Sequence, residues 1–160
     1  MTHVLVLLLA LGIGFIAGLR TFTAPAAIAW GAVLGWIDLS DTWASWVGHW
    51  ATVAVFTVLA VVELITDQLP KTPSRKSTPQ FAARLIGGGF AGAVLGASWG
   101  YTVGGLGAGV VGAVLGTLGG YEARRRLVAA NGGRDLPVAL TEDLVAIGGG
   151  ILIAYLTSLV

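Results

Sequence analysis

Six ionisable residues lie in or against apolar stretches: Arg20, Glu63, Asp67, Arg84, Glu142 and Asp143. Glu63 and Asp67 are four residues apart, a spacing that puts both on one helix face. A carboxylate deep in an apolar chain is costly unless it meets a counter-charge, water or a passing cation. Two kinds of chemistry suit that need. One is a pathway for an ion or small polar solute. The other is an ion pair of Glu63 or Asp67 with Arg20 or Arg84 that only holds the fold. Glu142 and Asp143 are expected to open the last apolar segment, where the helix dipole favours acids.

A second set is basic. Lys71, Arg75 and Lys76 follow Pro70, and Arg124, Arg125 and Arg126 form a run. Both groups suit phosphate or lipid head groups and the inner side of a membrane. The run "DQLPKTPSR" would also suit an enzyme acting on a lipid phosphate, with Asp67 holding Mg²⁺ and Lys71, Arg75 and Arg84 holding phosphate oxygens. That reading offers no nucleophile and no general base. A Mg²⁺ or Ca²⁺ site from Glu63, Asp67 and Glu142 has no spacing rule behind it. His3 and His49 are isolated, and the chain has no cysteine, so thiolate chemistry and Cys-based metal sites are excluded. The sequence calls for no metal and no cofactor.

The elements that must carry these groups belong to a membrane. Of 160 residues, 56% are hydrophobic and 11% charged, against about 25% charged in an ordinary soluble domain. Mean hydropathy is +0.86. The net charge of +1 leaves no footprint for nucleic acid. Six apolar segments are predicted: Val4–Leu19, Thr23–Ile37, Trp50–Leu69, Leu85–Trp99, Val103–Tyr121 and Leu136–Leu159. Period-two alternation is missing, so the expected class is all-α: one domain over residues 1–160, a polytopic membrane bundle of about six transmembrane segments. The first segment has no Lys or Arg before it, so it reads as a retained span rather than a signal peptide.

Basic residues orient the bundle. Connections 70–84 and 122–135 hold them and are expected on the cytoplasmic side; connection 38–49 holds Asp38 and Asp41 and is expected outside. Both termini then lie outside. Trp36, Trp43, Trp46, Trp50, Trp99 and Tyr101 fall at the outer interface, while Trp30 is expected inside the bundle. A re-entrant hairpin over Val4–Ile37 would move the N-terminus to the other side. Six crossings divide into a three-plus-three inverted repeat. "GIGF" at 12–15 and "GGGF" at 87–90 match that plan, but "ITDQL" at 65–69 and "LTEDL" at 140–144 run against it.

Gly88, Gly92 and Gly96, and Gly112, Gly116 and Gly120, recur every four residues. Such faces let backbones approach closely, so these glycines are expected to pack the fourth and fifth segments together as a glycine zipper.

"GLR" at 18–20, then Glu63, Asp67, Leu69 and Pro70, then Arg84 before a Gly/Ala helix resemble the domain-of-unknown-function 4126 family of small bacterial integral membrane proteins. The resemblance covers most of the chain. It implies the bacterial inner membrane, multi-pass, and names no substrate. Members often carry Lys where this chain has Gln68. The expected function is a transporter or channel for an ion or small polar solute, with the lipid-phosphate enzyme and an assembly subunit as alternatives. Membrane lipids and further copies of the chain are the expected partners.

Overall fold

The computed structural model describes residues 2–68 and 77–160. Among them are six α-helices and no strand: α1 (Thr2–Leu19), α2 (Thr23–Val33), α3 (Trp50–Thr66), α4 (Thr78–Ala97), α5 (Thr102–Ala130) and α6 (Asp135–Leu156). Short 3₁₀ turns cover Ser45–Gly48 and Thr157–Leu159.

Several boundaries differ from those expected. α2 stops at Val33 because Gly35 takes a φ of +75°, and the Trp36 amide turns back to the Gly31 carbonyl. Residues 34–49 then fold inward, burying Ile37, Leu39, Ala44 and Val47. α4 begins at Thr78, with Pro79 in its first turn, where proline costs no hydrogen bond. Arg84 is therefore a helical residue, not a loop residue. α5 runs on through Arg124, Arg125 and Arg126 to Ala130. Arg, Leu and Ala are good helix formers, and Glu122 pairs with Arg125 and Arg126 one turn on. The basic run thus lies on a helix rather than in a loop. The turn into α6 uses Gly132 and Gly133, both at positive φ.

Each helix runs opposite to the one before it. α1 meets α6 through Gly12 against Ile153 and Ile16 against Gly149, so the two are antiparallel. α2 runs with α6, through Ala27 beside Gly150 and Gly31 beside Ala154. α3 runs against α2: the Trp30 indole donates to Thr57 Oγ1 at 3.1 Å, while Glu63 reaches Thr21. α5 runs with α1, because Gly104 lies by Leu7 and Gly116 by Phe15 and Gly18.

Glycine sets the tight centre of the fold. A methyl group at Gly88 would sit 2.9 Å from the Gly109 carbonyl oxygen, and one at Gly96 would sit 2.5 Å from that of Tyr101. At Gly92, Gly105 and Gly109 it would collide outright with the facing α4 or α5 backbone. Gly112 and Gly116 face a different neighbour. Their backbones press on Leu11 and Phe15 of α1, and Gly14 and Gly18 press back on α5. The small-residue face of α5 therefore serves two partners, with Gly120 also buried further along the helix.

One end of the bundle is aromatic. His3 stacks on Tyr101 at 4.3 Å, Trp36 meets Tyr155 at 5.5 Å, and Trp43 and Trp46 meet Phe90. Trp30 is not interior; it is 38% exposed and stands edge-on to Trp50 at 5.9 Å. Glu63, Arg84, Glu122 and Arg124–Arg126 gather at the other end.

Candidate functional site

The site is the break between α1 and α2. α1 ends with carbonyls that lack helical partners, and α2 begins with unpaired amides. Arg84 Nη1 donates to the carbonyl oxygens of Gly18 at 2.8 Å and Leu19 at 2.7 Å. Thr117 Oγ1 reaches Gly18 O at 3.3 Å. The amides of Thr21 and Phe22 donate to Glu63 Oε1 at 2.7 Å and Oε2 at 2.8 Å. A cation thus closes the negative end of one helix and an anion the positive end of the next. The expected pairing of Glu63 with an arginine is corrected here: its two oxygens take backbone amides instead.

Arg20 sits in the break itself and is fully buried. Its Nε and Nη2 both lie 2.6 Å from Asp143 Oδ1, and its Nη1 lies 2.7 Å from Asp67 Oδ2. The same Asp67 oxygen is 3.7 Å from Arg84 Nη2. Gln68 Nε2 approaches Asp143 Oδ2 at 3.3 Å. Five charged side chains from α1–α2, α3, α4 and α6 therefore form one network. Burying it is tolerable only because guanidinium and carboxylate groups face each other at hydrogen-bond distance.

Glu142, the sixth candidate, belongs to a neighbouring group. Arg124 grips Asp135 with two bonds, at 2.8 and 2.7 Å, and reaches Glu142 Oε2 at 3.3 Å. Because α6 starts at Asp135, Glu142 and Asp143 lie two turns inside it. The helix dipole is therefore not what holds them, and Asp135 occupies the first turn instead. Arg125 and Arg126 are exposed and pair with Glu122. Lys71, Arg75 and Lys76 lie outside the described residues. Glu63, Asp67 and Glu142 do not converge on one point, and no set of three His, Asp or Glu fit for a metal occurs among the described residues.

A cleft of about 290 Å³ opens beside the network, lined by Thr21, Phe22, Glu63, Thr66, Asp67 and Gln80 among others. The site residues that sequence reasoning missed are Thr21, Phe22, Thr117 and Gln68. Thr21 and Phe22 act through their backbone amides, which leave no side-chain signal. Thr117 sits next to Gly116 on the buried face of α5, so its spacing marks it as inward-facing.

Fold and site together define an all-helical protein with a charge-stapled turn between its first two helices. Two described helices, Thr102–Ala130 and Asp135–Leu159, are long and apolar enough to cross a membrane. The chain belongs to the family described as domain of unknown function (DUF4126), whose match spans residues 7–159, nearly the whole chain. No curated protein and no solved structure matches it.

Proposed function

We propose that the chain is a multi-pass protein of the bacterial inner membrane, and that the charge-stapled break is the inner half-site of a transporter or channel for an ion or small polar solute. The membrane placement is supported by an inverted surface. Arg20 and Arg84 are the largest fully buried side chains among the described residues, while Val58, Ile65, Val103, Leu144 and Leu152 are each more than half exposed. Apolar surface on that scale suits contact with lipid. The alternating course of α1 to α6 supports six crossings with both termini at the aromatic, outer end. α2 alone, at about 16 Å, is shorter than a hydrocarbon core of about 30 Å. The inward-packed side chains of Ile37, Ala44 and Val47 fill the rest of that layer, with the exposed turn residues Asp38 and Ser40 at its edge.

The observation that carries the transport reading is a cleft, part polar and part apolar, that reaches Glu63 and Asp67 beside the turn between α1 and α2. Helix ends that meet charged groups beside a cavity suit the binding of a polar solute. The chain has no native cysteine, so a Thr66→Cys variant in oriented vesicles can be labelled from either side with an impermeant thiol reagent. Labelling from both sides is the expected result, since a solute path must admit water from each face in turn. Labelling from the cytoplasmic side alone would count against it. It would favour the assembly-subunit reading, which the internal pairing of all five network charges also supports.

A further inference from the structure

α5 and α6 are joined by the turn at Gly132 and Gly133 but pack little against each other. A cleft of about 240 Å³ lies between them, backed by Phe15 and Leu19 of α1. Its walls are nearly wholly apolar, with Gly119 and Ala123 on the α5 side and Val145 on the α6 side. The cleft is open. A methyl group at Gly119 would meet nothing within 4 Å, and Val145 is more than half exposed. Leu140 and Leu144, beside it on α6, are more than half exposed as well, an apolar rim that suits lipid. From Gly119 to Leu127 the cleft follows α5 for about 12 Å.

Charge decides the occupant. Arg125 Nη2 and Arg126 Nε both donate to Glu122 Oε1, at 2.9 and 2.7 Å. One carboxylate thus answers two guanidinium groups, and their side chains are 66% and 77% exposed. Glu122 lies one turn back along α5 and draws both groups to the level of Ala123. Arg126 follows Ala123 by three residues and Gly119 by seven, so it stands on the stripe that walls the cleft. Arg124 is already held by Asp135 and Glu142. Over the inner ends of both helices, Arg124, Arg125, Arg126 and Arg134 stand against Glu122, Asp135 and Glu142, four cations to three anions. Residues 69–76 hold Lys71, Arg75 and Lys76 and no acid, so they do not reverse that sign. An apolar cleft in a lipid-facing wall, with an unanswered cation at its rim, matches a fatty chain that carries an anionic phosphate. We propose that the α5–α6 cleft holds one acyl chain of an anionic inner-leaflet phospholipid whose phosphate lies on the Arg125–Arg126 pair.

The inference rests on the membrane placement above but not on transport. It is tested by native mass spectrometry of the full chain, released from membranes in mild detergent and mixed with equal amounts of phosphatidylglycerol and phosphatidylethanolamine of matched chains. The chain is expected to retain one phosphatidylglycerol, preferred about fivefold, the worth of one basic charge at a membrane surface. Gly119→Leu, which fills the cleft from the α5 side, should abolish retention. Val145→Trp, from the opposite wall, serves in its place if that variant does not fold. Gly107→Leu, at an equally open position nearer the other end of α5, should change nothing. Arg126→Gln leaves Glu122 answered by Arg125 alone and should bring the two lipids to parity. A lipid-free chain, a wild type that prefers phosphatidylethanolamine or takes both equally, retention indifferent to both cleft variants, or a preference that survives Arg126→Gln would overturn the site. Recovery of the chain without any detergent would instead overturn the membrane placement.

Discussion

At the scale of the residue, Arg20 is the keystone. It is fully buried and holds two carboxylates from helices far apart in sequence. Arg20→Met should cost about 3–5 kcal/mol, because Asp67 and Asp143 stay buried with less compensation. Thermal unfolding in detergent would read this as a large drop in midpoint. Adding Asp67→Asn and Asp143→Asn should recover part of the loss, since the stranded charges are then gone. If the triple variant is no better than the single, desolvated charge is not the cause. Glu63→Gln makes a subtler change. An amide has one oxygen where two backbone donors need acceptors, so one amide is stranded at about 1–3 kcal/mol. At the aromatic end, Asp38 accepts from the Ser40 hydroxyl at 2.7 Å and its amide at 3.0 Å, which hold its pKa below the ordinary 3.8. The turn is thus steadied at neutral pH and loses that support as pH falls through the lowered value. Protection of the Ser40 amide, taken relative to the intrinsic exchange rate at each pH, should fall on acidification, and Asp38→Asn should flatten that response.

At the scale of the element, α5 is a helix built to be approached from two sides. Gly109 faces α4, and a methyl group there would meet the Gly88 carbonyl oxygen; at Gly107 it would meet nothing within 4 Å. Gly109→Ala should therefore destabilise by about 1–3 kcal/mol through forced separation of the helices. Gly107→Ala should be neutral or stabilising by up to about 1 kcal/mol, the gain in helix propensity. Equal melting midpoints for the two variants would mean that α4 and α5 do not need their close contact. The same comparison separates glycine used for packing from glycine that is merely present.

At the scale of the whole molecule, the alternation of six helices makes a prediction about sidedness. Ser40 lies at the aromatic end and Asn131 in the turn between α5 and α6 at the charged end. Single cysteines at these two positions should be labelled from opposite faces of intact cells and inverted vesicles. Labelling of both from one face would leave the bundle without its six crossings. This outcome is independent of what, if anything, passes through the cleft.

The sequence by itself determined the helical class, the family, the polarity of the two ends and the list of charges that gather at one of them. These follow from composition and spacing: apolar runs must pair their own backbones as helices, and scarce charges in such runs must find partners. The helix limits were less legible. Arg124–Arg126 and Arg84 look like loop residues to a hydropathy reading, yet high helix propensity and local pairs carry the helices through them. Only the tertiary structure decided who meets whom. Nothing in the order of residues says that Glu63 would take the amides of Thr21 and Phe22, or that Arg20 would choose Asp67 and Asp143. Nor does it say that the glycines of α5 would divide between α1 and α4. Those choices depend on how six helices lie side by side. That is set by contacts between residues distant in sequence, where the turn between two helices is closed by side chains from the four others.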